Sequence, residues 1–206
     1  MKVHTDFAQN SLEWLVARAG VVTASEFHNL LSPTWKVRTG DMVESYLARK
    51  LAEKWLKGPL PGHMTLDMDA GRIREEEAIP WYEFTTGQTV QRVGLITSED
   101  GLTGCSPDGL LSECEGLEVK CPLPQTHVRY LLAGTVPEEY LAQVHGSMFV
   151  TGFPRWRFLS YCRQFPPLLI TVMRSDVIQK SIEEAVTKFL PRLKEGMELL
   201  QAKQKE

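Results

Sequence analysis

Apolar positions along the chain change period several times, and each change marks an element. From Asp41 onward, Val43, Leu47, Leu51 and Trp55 recur every fourth residue, the stripe of an amphipathic helix that Gly58-Pro59 ends. A long last helix sets Ile178, Ile182, Ala185, Phe189, Leu193, Met197 and Leu200 on one stripe, either a core face or a subunit contact. Further helices are expected from Asn10 to Arg18, from Thr23 through Leu31, over residues 68–86 with a kink or early turn at Pro80, and from Glu138 to Thr151. Strands are expected at Thr89–Ile96, Gly101–Ser106, Gly116–Cys121, Arg155–Cys162 and Leu168–Met173. This order predicts an α/β fold with a central mixed β-sheet flanked by helices. No repeat or long linker divides the chain, so residues 1–206 are expected to form a single domain.

One strand carries unusual chemistry. Side chains alternate along it, so Glu118 and Lys120 share a face while Val119 points into apolar packing. Upstream stands Cys105-Ser106-Pro107-Asp108-Gly109, and the Gly/Ser/acidic stretch from Gly109 to Gly116 has the chemistry of a hairpin connection. It would return Asp108 to the side of Glu118. Alone, Pro-Asp-Gly is a turn and Glu-x-Lys a solvated strand face. Joined as Asp-x9-Glu-x-Lys among Leu110, Leu111, Leu117 and Val119, they have the layout of a two-metal phosphodiesterase site. Two carboxylates hold hard cations through oxygen, and the lysine positions or deprotonates an attacking water. A third carboxylate to anchor a second ion is available in Arg72-Ile73-Arg74-Glu75-Glu76-Glu77, ordinarily a solvated helix face. Spacing does not choose among its glutamates.

Composition narrows the alternatives. Hydrophobic residues at 43% and charged residues at 24% are ordinary for a globular protein. No apolar run reaches membrane-spanning length and the start lacks a leader's apolar stretch, so a cytoplasmic protein without membrane contact is expected. Four cysteines without a C-x-x-C pair argue for reduced thiols, against a zinc ribbon or a thioredoxin-type motif. Neither nucleotide-binding glycine motif occurs, Gly104-Cys105-Ser106-Pro107-Asp108 misses the hydrolase elbow at its last position, and the histidines lack H-x-x-x-H spacing. The net charge of −3 hides a division: residues 61–120 carry 4 basic and 12 acidic side chains, residues 121–206 carry 11 and 8. Carboxylates gathered for cations, with basic residues elsewhere for phosphates, suit a nuclease.

Two further places bear on anions. Thr23-Ala24-Ser25-Glu26 reads as a capping box that would aim Ser25 and first-turn N–H groups outward, with Arg18 just upstream to add a bidentate contact. An ordinary capped helix with a surface arginine fits the same residues. Gln143, beside Leu141, Val144 and Met148, fits an exposed helix position as well as a functional one.

Taken together, these residues resemble the phage lambda-type alkaline exonucleases, the viral recombinase branch of the PD-(D/E)xK nuclease superfamily. The strongest blocks are Val22 to Glu26, Cys105 to Leu110, Gly116 to Pro122, and Ala142-Gln143-Val144 with Ser147-Met148. The resemblance implies that Asp108 bridges two Mg²⁺ ions, with Mn²⁺ as a substitute, and that Glu118 and the Val119 carbonyl complete one site. It gives the nucleophilic water to Lys120, picks Glu75 among the helix glutamates and places Gln143 near the active centre. Arg18, Ser25 and Ser106 match a pocket for a 5′-terminal phosphate. Also implied are 5′→3′ digestion of double-stranded DNA to mononucleotides, a homotrimer, a single-strand annealing partner, and a phage or prophage origin within a bacterial cytoplasm. The chain departs from the family at Thr126, where an arginine is usual (His127 and Arg129 lie nearby), and along Gly58–Leu66, which aligns poorly. Competing readings are a structure-specific or repair endonuclease on the same core, and a non-catalytic DNA-end-binding protein.

Overall fold

Two mixed four-stranded sheets meet at the segment that carries Asp108. The computed structural model describes residues 1–61, 77–111 and 114–205. The first sheet has the order β1-β3-β4-β2, formed by β1 (Lys2–His4), β2 (Val22–Thr23), β3 (Leu95–Thr97) and β4 (Thr103–Cys105). Its β2 and β4 run parallel and its other pairs antiparallel. The second sheet follows chain order: β5 (Gly109–Leu111), β6 (Glu115–Lys120), β7 (Arg155–Ser160) and β8 (Leu168–Met173), with only β6 and β7 parallel. The chain crosses between the sheets through Ser106-Pro107-Asp108. The α/β class expected from sequence holds, with its strands divided into two mixed sheets where one was expected.

The helices are α1 (Leu12–Arg18), a 3₁₀ helix (Ala24–Asn29), α2 (Asp41–Leu56), α3 (described over 77–86), α4 (Pro124–Ala133), α5 (Glu138–Thr151) and α6 (Asp176–Lys203). Among the described residues no helix is long and apolar enough to cross a membrane. Ser11 caps α1, its hydroxyl accepting the Trp14 N–H at 3.1 Å. The α6 stripe is core as far as Leu193: Ile182, Ala185, Phe189 and Leu193 pack on Val43 and Tyr46 of α2. Beyond it Met197 is half-buried and Leu200 exposed, so the stripe outruns the core. Helix α5 is buried on two sides. Val144 and Met148 meet Trp156 and Phe158 of β7, while Gly146 lies against the 3₁₀ helix, where an added Cβ would stand 2.7 Å from the Phe27 ring.

Several elements differ from expectation, β5 among them, since Gly109–Leu111 pairs with β6 where only a hairpin connection was expected. The strand expected at Thr89–Ile96 is reduced to β3 and one bridge between Gln91 and Leu110. The β1–α1 loop lies against Gly94, leaving 2.4 Å between the Phe7 carbonyl oxygen and an ideal Cβ, while the Gly94 N–H donates to the His4 carbonyl at 3.0 Å. Strand β1 and helix α4 were not expected at all. Their signals are local in α4, which begins on Pro124 and ends at Gly134 with φ +62.

Gly116 leaves room for the ring of fully buried Trp156, from which an added Cβ would stand only 2.3 Å. Gly116→Ala is therefore expected to destabilise the fold by about 1–3 kcal/mol, the cost of overpacking a core. Chemical denaturation compared with the wild type checks this.

Candidate active site

Strand alternation places the chemistry on β6. Val119 is fully buried with Leu117 and Leu159, and Glu118 and Lys120 face the other way. The hairpin forms with Gly109 opposite Leu117, and the Asp108 N–H donates to the Leu117 carbonyl at 3.1 Å. Asp108 Oδ2 accepts the Val119 N–H at 2.6 Å, which docks this carboxylate beside Glu118. Glu118 Oε1 accepts from Lys120 Nζ and from Gln143 Nε2, both at 2.6 Å. The Lys120 ammonium also lies 5.2 Å from the centre of the Tyr140 ring. Asp108, Glu118, Lys120 and Gln143 are thus one cluster.

Burial and mutual charge set the cluster's electrostatics. Burial pushes Glu118 up to about 7, helped by the Asp108 charge and opposed by Lys120 and Gln143. Burial also raises Asp108, against the pull of Lys120, the Val119 N–H and Arg92. Burial acts against charge on Lys120, but the Glu118 and Asp108 carboxylates outweigh it and raise the ammonium. Asp108 Oδ1 and Glu118 Oε2 accept no hydrogen bond among the described residues. Two neighbouring carboxylates resisting ionisation, each with an oxygen to spare, are hard donors suited to a divalent cation. Glu75 lies outside the described residues, and the described residues contain no group of three acidic, His or Cys ligands.

Arg18, Ser25 and Ser106 also come together. Arg18 Nη1 donates to Ser106 Oγ at 2.9 Å, and Nη2 to Ser25 Oγ and Thr23 Oγ1, both at 3.3 Å. The guanidinium rests on the Trp14 ring, 4.3 Å from its centre, and the Trp14 indole N–H donates to Ser106 Oγ at 3.0 Å. The expected capping box does not form. Thr23 makes no cap hydrogen bond to the helix; its hydroxyl donates to Glu26 Oε2 at 3.1 Å, and the element is a short 3₁₀ helix. An anion placed here would meet the guanidinium and the hydroxyls, not a capped helix terminus.

Sequence reasoning missed several supporting residues. Trp14 stands four before Arg18 and Tyr140 three before Gln143, the spacings of one helix face, and that was their signal. Arg92 had none: it donates from Nη1 to the Asp108 carbonyl oxygen at 3.2 Å. Beside it lies a cavity of about 510 Å³, lined by Asp6, Phe7, Gln9, Asn10, Arg92 and Asp108, which opens onto the central carboxylate. Near Thr126, His127 is fully buried with both ring nitrogens engaged, by Ser160 Oγ at 2.8 Å and the Pro166 carbonyl at 3.0 Å. Of the two neighbours only Arg129 is exposed, donating to Thr126 Oγ1 at 3.3 Å.

The mixed α/β frame that carries this cluster and pocket is shared with solved exonucleases. Residues 13–154 match the YqaJ-like viral recombinase domain. The structure superposes on the alkaline exonuclease LHK-Exo from Laribacter hongkongensis with a TM-score of 0.83 and 29% identity, covering 94% of this chain and 98% of that one. The match to LHK-Exo in complex with dAMP has the same values. A phage-related exonuclease from Haemophilus somnus shares the fold, with a TM-score of 0.63 at 15% identity over 89% of this chain and 96% of that one. No curated protein matches the chain. The chain belongs to the YqaJ-like viral recombinase domain family.

Proposed function

We propose that the protein is a Mg²⁺-dependent 5′→3′ exonuclease on double-stranded DNA ends. It releases 5′-mononucleotides and leaves 3′ single strands for recombination by strand annealing. One observation carries the reading: the Arg18–Ser25–Ser106 pocket and the Asp108–Glu118 pair are joined by a single residue, Pro107. A pocket for a terminal phosphate so close to the hydrolytic carboxylates suits removal of one nucleotide at a time. The complex of LHK-Exo with dAMP, a mononucleotide, fits the same reading.

Asp108, Glu118 and the Val119 carbonyl would hold the divalent ions, with Glu75 as a further ligand and Mn²⁺ able to replace Mg²⁺. Bound there, such ions supply Lewis-acid stabilisation of charge on phosphorus and on the leaving 3′ oxygen. Lys120, anchored on Glu118 as an ammonium, positions the attacking water by donating a hydrogen bond to it. Gln143 fixes the Glu118 carboxylate so that its second oxygen stays turned to the cation. Arg18, Ser25 and Ser106 take the terminal phosphate, whose extra negative charge over an internal diester favours a cationic pocket. The assembly proposed with this chemistry is a homotrimer around duplex DNA, working with a single-strand annealing protein in the cytoplasm of a bacterial host, from a phage or prophage.

Linear duplexes ending in 5′-phosphate or 5′-hydroxyl, with closed circles as control, test the reading. The wild type should degrade 5′-phosphate ends faster and leave circles intact; Arg18→Ala should reduce that preference by about 10- to 100-fold, the worth of a charge-assisted contact. Equal rates on both ends would remove the pocket assignment, and cutting of circles would identify an endonuclease.

A further inference from the structure

Behind the Arg18 pocket lies a second layer of charge whose hub is Glu26. Its Oε2 accepts from the Thr23 hydroxyl at 3.1 Å, the Tyr46 hydroxyl at 3.3 Å and Lys50 Nζ at 2.7 Å. Its Oε1 accepts from Arg49 Nη2 at 2.8 Å. Lys50 bonds Glu53 Oε2 at 2.8 Å, and that oxygen accepts the Gly20 N–H at 3.1 Å. Lys50 and Glu53 are only 3% and 5% exposed, so these charges are held by one another and not by water. Gly20, with φ +72, makes the contact possible, because a Cβ there would stand 2.6 Å from the Lys54 Cβ. A small cavity of about 120 Å³ runs between Arg18 and this layer, lined by Trp14, Arg18, Glu26, Lys50 and Glu53.

The layer reaches the pocket through one atom. Thr23 Oγ1 gives its proton to Glu26 and turns its lone pairs to Arg18 Nη2, 3.3 Å away. Arg18 therefore receives an orientation from Glu26 without touching it. Three cations, Arg18, Arg49 and Lys50, surround the carboxylates of Glu26 and Glu53. Take Glu26 away and Arg49 and Lys50 repel Arg18, with the cavity giving the guanidinium room to swing off the serines.

We propose that Glu26 is a positioning residue for Arg18, fixing the guanidinium through Thr23 in the orientation that receives a terminal phosphate. This rests on the 5′-phosphate reading above. Charge and position predict opposite signs, which makes the idea testable. If only charge mattered, Glu26→Gln would remove a nearby anion and tighten phosphate binding. If position matters, Glu26→Gln should loosen it.

The experiment measures kcat/KM on 5′-phosphate and 5′-hydroxyl duplexes in Mg²⁺ for full-length wild type, Arg18→Ala, Glu26→Gln and Thr23→Val. Thr23→Val keeps every ion pair and removes only the linking hydroxyl, so it decides the matter if Glu26→Gln does not fold. Both variants are expected to lower the 5′-phosphate to 5′-hydroxyl ratio about tenfold, mainly through KM for the phosphorylated end. A raised or unchanged ratio, while Arg18→Ala abolishes the preference, overturns the proposal and leaves the pocket standing. An equal loss on both ends shows a structural role alone and also overturns it. A wild type without end preference defeats the 5′-phosphate reading itself, and this proposal with it.

Discussion

Asp108→Ala is expected to abolish hydrolysis in Mg²⁺ while leaving a folded protein. The carboxylate sits between the two sheets, beside Glu118, at the mouth of the large cavity. No other described acid reaches the same point, so its loss removes the proposed bridging ligand outright. Its structural cost is modest: the Val119 N–H loses its acceptor, worth about 1–3 kcal/mol for a buried donor. Asp108→Asn separates the two effects, since the amide oxygen still accepts from Val119 but carries no charge. Both variants should lose activity by several orders of magnitude, and Asp108→Asn should melt closer to the wild type. A folded Asp108→Ala protein with near-native activity would falsify the metal-site assignment.

The second large effect is expected at Lys120. Lys120→Ala should lose about 10²–10⁴-fold in rate, because the charged group that positions the attacking water disappears. Duplex affinity, measured in Ca²⁺ to block turnover, should change little, since the ammonium is engaged with Glu118 and the Tyr140 ring. The variant also removes the charge that opposes the raised pKa of Glu118, so its residual activity should move to higher pH. Parallel losses in binding and turnover would reduce Lys120 to a phosphate contact.

Much of this arrangement was legible in the sequence because its signals are local. Amphipathic spacing gives α2 and α6, and a two-residue chemical repeat in a buried strand gives Glu118 and Lys120. What was not legible depends on partners distant in sequence. Thr23 and Glu26 read as a capping pair, but Glu26 is claimed by Arg49 and Lys50, which only the packing of α2 brings near. Within the strand expected at Thr89–Ile96, Gly94 packs on Phe7, some ninety positions away. Arg92 meets Asp108 where its neighbour Gln91 forms an isolated bridge with Leu110 of β5. The choice of Glu75 came from family resemblance, and it lies outside the described residues.

Pro107 separates Ser106 from Asp108, and its own carbonyl accepts from Gln9 Nε2 at 2.7 Å. Its ring fixes φ and so removes one of the link's backbone rotations. Two residues on, a chain reaches at most about 7 Å, a span comparable with the distance between successive phosphates of a nucleic-acid strand. In the proposed reading, the phosphate that is held and the bond that is cut are kept apart by that link alone, with no loop between them to lengthen the step. The size of each product would then be set by a single proline.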